Sequence, residues 1–306
     1  MKYAHVKMDY PSVSVEEFMA LSEVQEFTLL SSVILYEGNE YIAHKSASIK
    51  YSGDVILLTN DEKDAIEAIK GLCANISVHN INDKKEDAKK KYIDLFTTVS
   101  QNTSCPSYDI FFTDGLTIVG KRRDSRDTRS LLSHSKKPFS QSGSLNSFLA
   151  RILVNVSRAK KTFYDPFSGL GSTLIEASWK GIWCIGSDFN REILTKSVEN
   201  LRHFKCNCDV FLGTIQTSNV FRIDGIGTDP PYARSTKIEG LLRDVFHSLF
   251  SYSAEVLPPN GYLVFLSDSK YFWGDDIREY GLTLLRTHYL YTHKSMTRVL
   301  YVVKKP

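Results

Sequence analysis

A short apolar strand that runs directly into a glycine loop, and then into a helix, does most to limit the folds open to this chain. Thr162 to Tyr164 leads into Asp165-Pro-Phe-Ser-Gly-Leu-Gly-Ser-Thr-Leu-Ile-Glu-Ala177. Glycines at 169 and 171 permit a tight turn and close backbone approach to a ligand, and the helix that follows presents free N–H groups. The same alternation recurs downstream. Apolar runs at Trp183 to Gly186, Asp209 to Leu212, Ile223 to Gly227 and Tyr262 to Leu266 stop near Gly or Asp and give way to helical patterns. Such β/α alternation predicts an α/β domain with a mostly parallel sheet covered on both faces. Leu282 to Tyr291 and Met296 to Val303, joined by four residues, predict an antiparallel hairpin that closes the sheet.

Upstream the texture changes. Strand-like runs at Phe27 to Tyr36, Gly53 to Leu58, Tyr108 to Phe112 and Leu116 to Gly120 alternate with helical stretches at Ser14 to Leu21 and Asp61 to Leu72. A smaller α+β domain over 1–120, a basic linker over 121–140 and the α/β domain over 141–306 are expected. At 306 residues and 42% hydrophobic, the chain can give each domain a core. A net charge of +3 decides nothing about partners, but residues 121 to 137 hold seven basic against two acidic groups. A second basic run, Lys84 to Lys91, reads as a solvated face. Five cysteines without a regular framework predict free thiols in a reducing compartment, the cytoplasm by default. The first twenty residues carry no signal-peptide pattern, and no stretch approaches the ~20 apolar residues of a membrane span. His203-Phe-Lys-Cys-Asn-Cys208 lacks the second ligand pair of a zinc site, so no metal is expected.

Asp188 stands seventeen residues after Gly171, at the end of the next predicted strand, where a carboxylate can accept hydrogen bonds from two ribose hydroxyls. The loop lacks the third glycine of a dinucleotide fingerprint. It also begins with Asp165, which would repel a pyrophosphate but suits a cation. Together these point to S-adenosylmethionine, whose ammonium and sulfonium are both positive, seated over Asp165, Pro166, Phe167, Gly169 and Gly171.

Asp229-Pro-Pro-Tyr232 ends the fourth predicted strand, 64 residues after Asp165. Two prolines stop the strand and stiffen the backbone. In a doubly wound sheet this point lies at the crevice beside the glycine loop. The chemistry it fits is methylation of an exocyclic amine on a base: Asp229 and the Pro230 carbonyl accept the amino hydrogens, and Tyr232 stacks on the ring. Alignment and electrostatics carry such a reaction, and no free general base is needed.

These motifs resemble those of the THUMP-containing tRNA guanosine methyltransferases, most closely the archaeal group that methylates the 2-amino group of guanosine at tRNA position 10. The resemblance rests on Lys137-Pro-Phe-Ser-Gln-Ser-Gly-Ser-Leu-Asn-Ser-Phe-Leu-Ala-Arg-Ile-Leu-Val-Asn155, on the glycine loop, on Gly186-Ser-Asp-Phe-Asn190, on Asp229-Pro-Pro-Tyr with Arg234-Ser-Thr236, on His293-Lys-Ser-Met-Thr-Arg298, and on Phe112 to Arg122. It implies a class I (Rossmann-like) methyltransferase fold with strand order 3-2-1-4-5-7-6 and an antiparallel seventh strand, preceded by a THUMP-type domain. It adds Phe139, Ser144, Phe189, Gly213 and Thr214 to the cofactor-binding set. Asp at 229, where enzymes for other positions carry Asn, favours position 10. Thr214 departs from the acid that often reads the adenine. Ser142 and Ser147 replace prolines, Ser168 a cysteine and Ala233 a glycine.

The family's use of its N-terminal domain in RNA docking makes Lys121, Arg122, Arg123, Arg126 and Arg129 candidates for the tRNA backbone. A monomer is expected, and some relatives use a small activating subunit. The four-residue motif equally serves an amino-methyltransferase for another tRNA position, rRNA or DNA, and a non-catalytic RNA-binding relative would keep the same fold.

Overall fold

The structure, a computed structural model, describes residues 1–81, 97, 100–102, 104–141, 144–231, 239–293 and 296–306. The basic run 84–91, Ser142, Tyr232 to Thr236 and part of the last turn lie outside the described residues. The chain divides into two units, Met1–Asp127 and Thr128–Pro306.

The first unit is built on strands β1 (Lys2–Val6), β2 (Phe27–Leu30), β3 (Val33–Tyr36), β4 (Ile49–Thr59), β5 (Cys73–Asn80), β6 (Ser100–Gln101), β7 (Ser107–Thr113) and β8 (Leu116–Ser125). They form one sheet in the order β2-β3-β1-β4-β8-β7-β5-β6. The run Phe27 to Tyr36, read as a single strand, is a hairpin turned at Ser31, whose φ is +48°. Phe18 of helix α1 (Pro11–Ser22) packs with Ala4, Val6, Ile34 and Ile49. Ala65 and Ile69 of α2 (Glu62–Ile69) pack with Ala74, Ile76, Ile110 and Val119.

The linker expected over 121–140 is corrected. Residues 121–125 are the second half of β8, in register with β4, and Thr128–His134 is helix α3 of the next unit. Two observations change the reading of Arg122. Asp109 is fully buried and accepts from Tyr3 Oη at 2.6 Å, from Arg122 Nε at 2.8 Å and from Arg122 Nη2, with His79 Nε2 at 2.8 Å. The guanidinium also lies 3.5 Å over the Tyr51 ring. Burial would push the Asp109 carboxyl up, but the hydrogen bonds from Arg122 and His79 hold it below its ordinary value. Arg122 is therefore a structural counter-ion of this sheet, not an open phosphate contact.

The second unit contains α3, α4 (Ser147–Val156), β9 (Thr162–Asp165), α5 (Ser172–Trp179), β10 (Trp183–Asp188), α6 (Arg191–His203), β11 (Cys208–Leu212), β12 (Gly225–Thr228), α7 (Glu239–Val256), β13 (Tyr262–Asp268), α8 (Gly274–Glu279), β14 (Thr283–His293) and β15 (Met296–Lys304). Its seven-stranded sheet has the order β11-β10-β9-β12-β13-β15-β14. The strands from β11 to β13 pair in parallel, and β15 runs antiparallel to both neighbours. This is the expected 3-2-1-4-5-7-6 arrangement of a class I methyltransferase.

Local chemistry explains how the helices are placed. The Asn146 side chain caps α4 by accepting from Leu149 N at 2.8 Å, and the Asn190 side chain caps α6. Gly227 lets β12 lie against its neighbours, since a Cβ there would come within 2.7 Å of the Phe163 ring. Trp273 is 1% exposed, stacks on Phe246 and donates to Ser267 Oγ at 2.9 Å, whereas Phe272 is 62% exposed. Buried Glu176 on α5 joins three helices by accepting from Arg151 Nε at 2.6 Å and pairing with His134 Nδ1 at 2.6 Å.

The expectation of five free thiols is also corrected. Cys73 is bonded to Cys105 and Cys184 to Cys208, the latter two being register partners on adjacent parallel strands. Cys206 is the free cysteine, and burial pushes its thiol up. Among the described residues no helix is long and apolar enough to cross a membrane.

Candidate active site

The glycine loop is braced from within. Asp165, at the end of β9, is 2% exposed and accepts from Phe167 N at 3.0 Å, from Thr228 Oγ1 at 2.5 Å and from Thr173 Oγ1. These three donors tie the loop to the start of α5 and to β12, so Asp165 is first the loop's brace. Its charge is unfavourable where it sits. Burial, aided by nearby Asp229, outweighs the three donors and pushes the carboxyl up to about 6.

A stability consequence follows with a definite sign. Below the ordinary value of 3.8 both folded and unfolded chains hold the proton, and between there and about 6 only the folded chain does. Stability therefore falls as pH rises through that window and levels off above it. Asp165→Asn is expected to remove this slope. Relative to the parent, the variant should gain roughly 2–3 kcal/mol between pH 4 and pH 8, measured by denaturant titration at the two pH values. Parallel curves for parent and variant would refute the assignment.

Gly169 has φ +51° and Gly171 φ +80°, the left-handed region that favours glycine. A Cβ on Gly169 would meet only the Phe167 carbonyl, at 4.0 Å, so its face is open to a ligand. One on Gly171 would come within 2.7 Å of Ser197 Oγ. The loop is pinned to β10 through Ser168 N, which donates to the Ser187 carbonyl at 2.9 Å. Asp188, half-exposed at the tip of β10, accepts from Gly169 N at 3.1 Å and Asn190 N at 2.9 Å. An open glycine face beside an oriented, half-exposed carboxylate is what a nucleoside ribose needs, so these residues fit the expected cofactor.

Pro166 accepts from Ser187 Oγ at 3.3 Å, and Phe189 is 70% exposed. Gly213 N donates to the Asp188 carbonyl at 3.1 Å, which sets the end of β11 beside the tip of β10. Thr214 is exposed and caps the turn Ile215–Thr217. Phe139 is clamped by Asn200 of α6: its N–H donates to Asn200 Oδ1 at 2.9 Å, and Asn200 Nδ2 donates to the carbonyls of Phe139 and Leu170, each at 3.0 Å. Ser144 N donates to the Gln141 carbonyl.

Asp229 follows β12 directly, next to the Thr228 that binds Asp165. Pro230 is buried and Pro231 exposed. Arg298 of β15, itself nearly buried, lies 3.7 Å from the Asp229 carboxylate. Sequence reasoning assigned no role to Arg298, although Met-Thr-Arg298 stood among the recurring motifs. It missed Asn200, a polar residue in a helix whose neighbours Ser197 and Leu201 are also buried. Tyr232 lies outside the described residues. The structure thus brings together Asp165, Gly169, Gly171, Asp188 and Asp229. Lys121, Arg122, Arg123 and Arg126 belong to the first unit and Arg129 to the second.

A doubly wound sheet with its seventh strand antiparallel, a glycine loop after the first strand, an acid at the tip of the second and Asp-Pro-Pro after the fourth define a class I methyltransferase. Residues 134–280 match the RMKL-like methyltransferase domain model, UPF0020. The protein of Methanothermococcus thermolithotrophicus named "Probable tRNA (guanine(10)-N2)-dimethyltransferase" is 37% identical over 169 residues, 51% of this chain and 98% of that protein. The tRNA (guanine(10)-N2)-dimethyltransferase of Methanothermobacter thermautotrophicus is 28% identical over 174 residues, 56% of this chain and 52% of that protein. The match thus spans about half the length of the second relative. TrmN from Thermus thermophilus superposes over 100% of this chain and 99% of its own, with a TM-score of 0.56 and 12% identity, which shows the shared fold. The chain belongs to the tRNA (guanine(10)-N2)-dimethyltransferase family.

Proposed function

We propose that this chain transfers methyl from S-adenosylmethionine to the exocyclic 2-amino group of guanosine in tRNA, at position 10. The observation that carries the reading is the placement of Asp229 and Pro230 at the end of β12, beside the Asp165 loop, with Arg298 behind the carboxylate. Bound S-adenosylmethionine supplies a methyl already activated by its sulfonium. What the chain must do is orient the amine. Asp229 and the Pro230 carbonyl accept its two hydrogens and direct the nitrogen lone pair, and Tyr232 stacks on the base. An aromatic amine is a weak nucleophile, and a carboxylate at its hydrogens gains strength as positive charge develops on nitrogen. Arg298 holds Asp229 in place for that contact. Asp188 takes the ribose, and the Gly213-Thr214 turn flanks the adenine.

Nucleoside mass spectrometry after incubating tRNA with the enzyme and methyl donor is the direct test. Methylated guanosine that maps to position 10 is the expected product. Label confined to rRNA or to DNA would reject the substrate.

The first unit acts as a THUMP-type RNA-docking domain in this reading. Extruding a paired base costs a few kcal/mol, which contacts distant from the pocket must offset. With Arg122 engaged by Asp109, and Arg126 Nη1 donating to the Ala47 carbonyl at 2.8 Å, Lys121, Arg123 and Arg129 are the better phosphate contacts. Arg123 keeps 44% of its side chain exposed while pairing with Asp54. Replacing these three with Ala is expected to flatten the dependence of log affinity on log salt by about one per lost contact. An unchanged slope across a salt titration would place the RNA elsewhere. Cytoplasmic location and a monomeric chain belong to the same proposal. With four cysteines paired, the location rests on the tRNA substrate.

A further inference from the structure

Lys137 is a half-buried cation for which the described residues supply no carboxylate. Its ammonium donates to Ser172 Oγ, on the first residue of α5 after Gly171. Ser172 Oγ in turn donates to the Leu145 carbonyl at 3.1 Å. The setting differs from that of three other buried or half-buried cations. Arg122 has Asp109, Arg151 has Glu176 and Arg298 has Asp229. Burial pushes the Lys137 ammonium down from its ordinary value, and no acid acts to raise it again. Removing a charge from water without an opposite charge costs free energy, which an incoming anion would recover.

The lysine is also held ready. Two residues on, Phe139 is fixed through both its N–H and its carbonyl to Asn200, which holds Leu170 of the glycine loop as well. Chain and loop are thereby locked side by side, and Lys137 is presented at the loop's exit with little freedom left to lose on binding.

The chemistry of the methyl donor supplies the missing charge. S-adenosylmethionine carries two positive groups and one negative. Asp165, at the end of β9, is the acid assigned to the positive pair, and an α-carboxylate needs a cation or several N–H donors. We propose that Lys137 binds the α-carboxylate of S-adenosylmethionine, together with the N–H groups that open α5. The inference rests on the cofactor reading given above.

Calorimetry on the full chain tests it with two ligands that differ by one group, S-adenosylmethionine and its decarboxylated form. The parent should prefer the carboxylated ligand by roughly 10- to 100-fold, the worth of a charge-assisted hydrogen bond. Lys137→Met should bind both at the level of the decarboxylated form, and Lys137→Arg should keep most of the preference. A parent that binds both ligands equally overturns the proposal without use of any variant. So does a Lys137→Met protein that retains the preference, or one that weakens tRNA binding while leaving S-adenosylmethionine affinity unchanged, which would mark a phosphate contact instead. A parent that binds neither ligand would sink the cofactor reading itself, and this inference with it.

Discussion

Asp229→Asn is expected to slow methyl transfer about 100- to 1,000-fold while leaving affinity for S-adenosylmethionine within about twofold. The substitution keeps the shape of the side chain and removes its charge. An amide still offers one oxygen to the amine, so the base should enter and tRNA affinity should hold. Lost is the negative charge that strengthens its hold on the amine as the nitrogen becomes positive. Arg298 would then face a neutral partner, which adds to the loss by leaving a nearly buried guanidinium short of its counter-charge. Single-turnover rates with saturating cofactor and tRNA separate this loss from binding. A rate within tenfold of the parent would reject Asp229 as the group that orients the amine, and the neighbouring Pro230 carbonyl would have to carry the task alone.

The second large effect lies far from chemistry. Arg122→Ala should destabilise the first unit by about 3–5 kcal/mol, because it strips Asp109 of its bidentate partner at 0% exposure and leaves a buried carboxylate with only Tyr3 and His79. Arg123→Ala, one position along the same strand, removes an exposed, solvent-screened pair with Asp54 and should leave stability nearly unchanged. Hydrogen exchange read at β7 and β8 distinguishes the two variants. Equal protection in both would show that the Arg122 guanidinium is not integral to the sheet. The contrast also bears on RNA binding: affinity lost in an Arg122 variant reports unfolding, and only the outward-facing cations can report phosphate contacts.

The catalytic half was legible because its signals are local and redundant. A glycine loop can begin a helix in few ways, and Asp188 and Asp229 follow it at strand ends that the β/α alternation locates independently. The strand order came from the family resemblance rather than from spacing, since no local pattern places the seventh strand between the fifth and sixth. The first half was harder to read. Strands β1 and β5 were not expected, and the hairpin at Ser31 passed for a single strand, because its turn uses a serine at positive φ where a glycine would have announced it. Arg122 was misread for a related reason. Seven basic residues within seventeen look like one charged segment, yet strand alternation turns alternate side chains to opposite faces, and Arg122 points to the acid that Tyr108-Asp-Ile-Phe-Phe carries in an otherwise apolar run. That isolated aspartate was the available signal. Lys137 escaped notice in the same way, grouped with a basic run while its surroundings belong to the cofactor loop. The cysteine pairs could not be read from spacing, because 24 residues and a strand register separate Cys184 from Cys208.

The position of β15 in the sheet has a consequence for how the protein is made. The strand inserted between β13 and β14 is the last of the sheet to leave the ribosome, and it carries Arg298 to Asp229. Until it arrives, β13 presents an unpaired edge to the crowded interior of the cell, and β14 has no neighbour through which to join the sheet. Translation that stops before Met296 would therefore yield a chain with its glycine loop and acids already synthesised, an open sheet edge suited to mispairing, and no guanidinium behind the carboxylate.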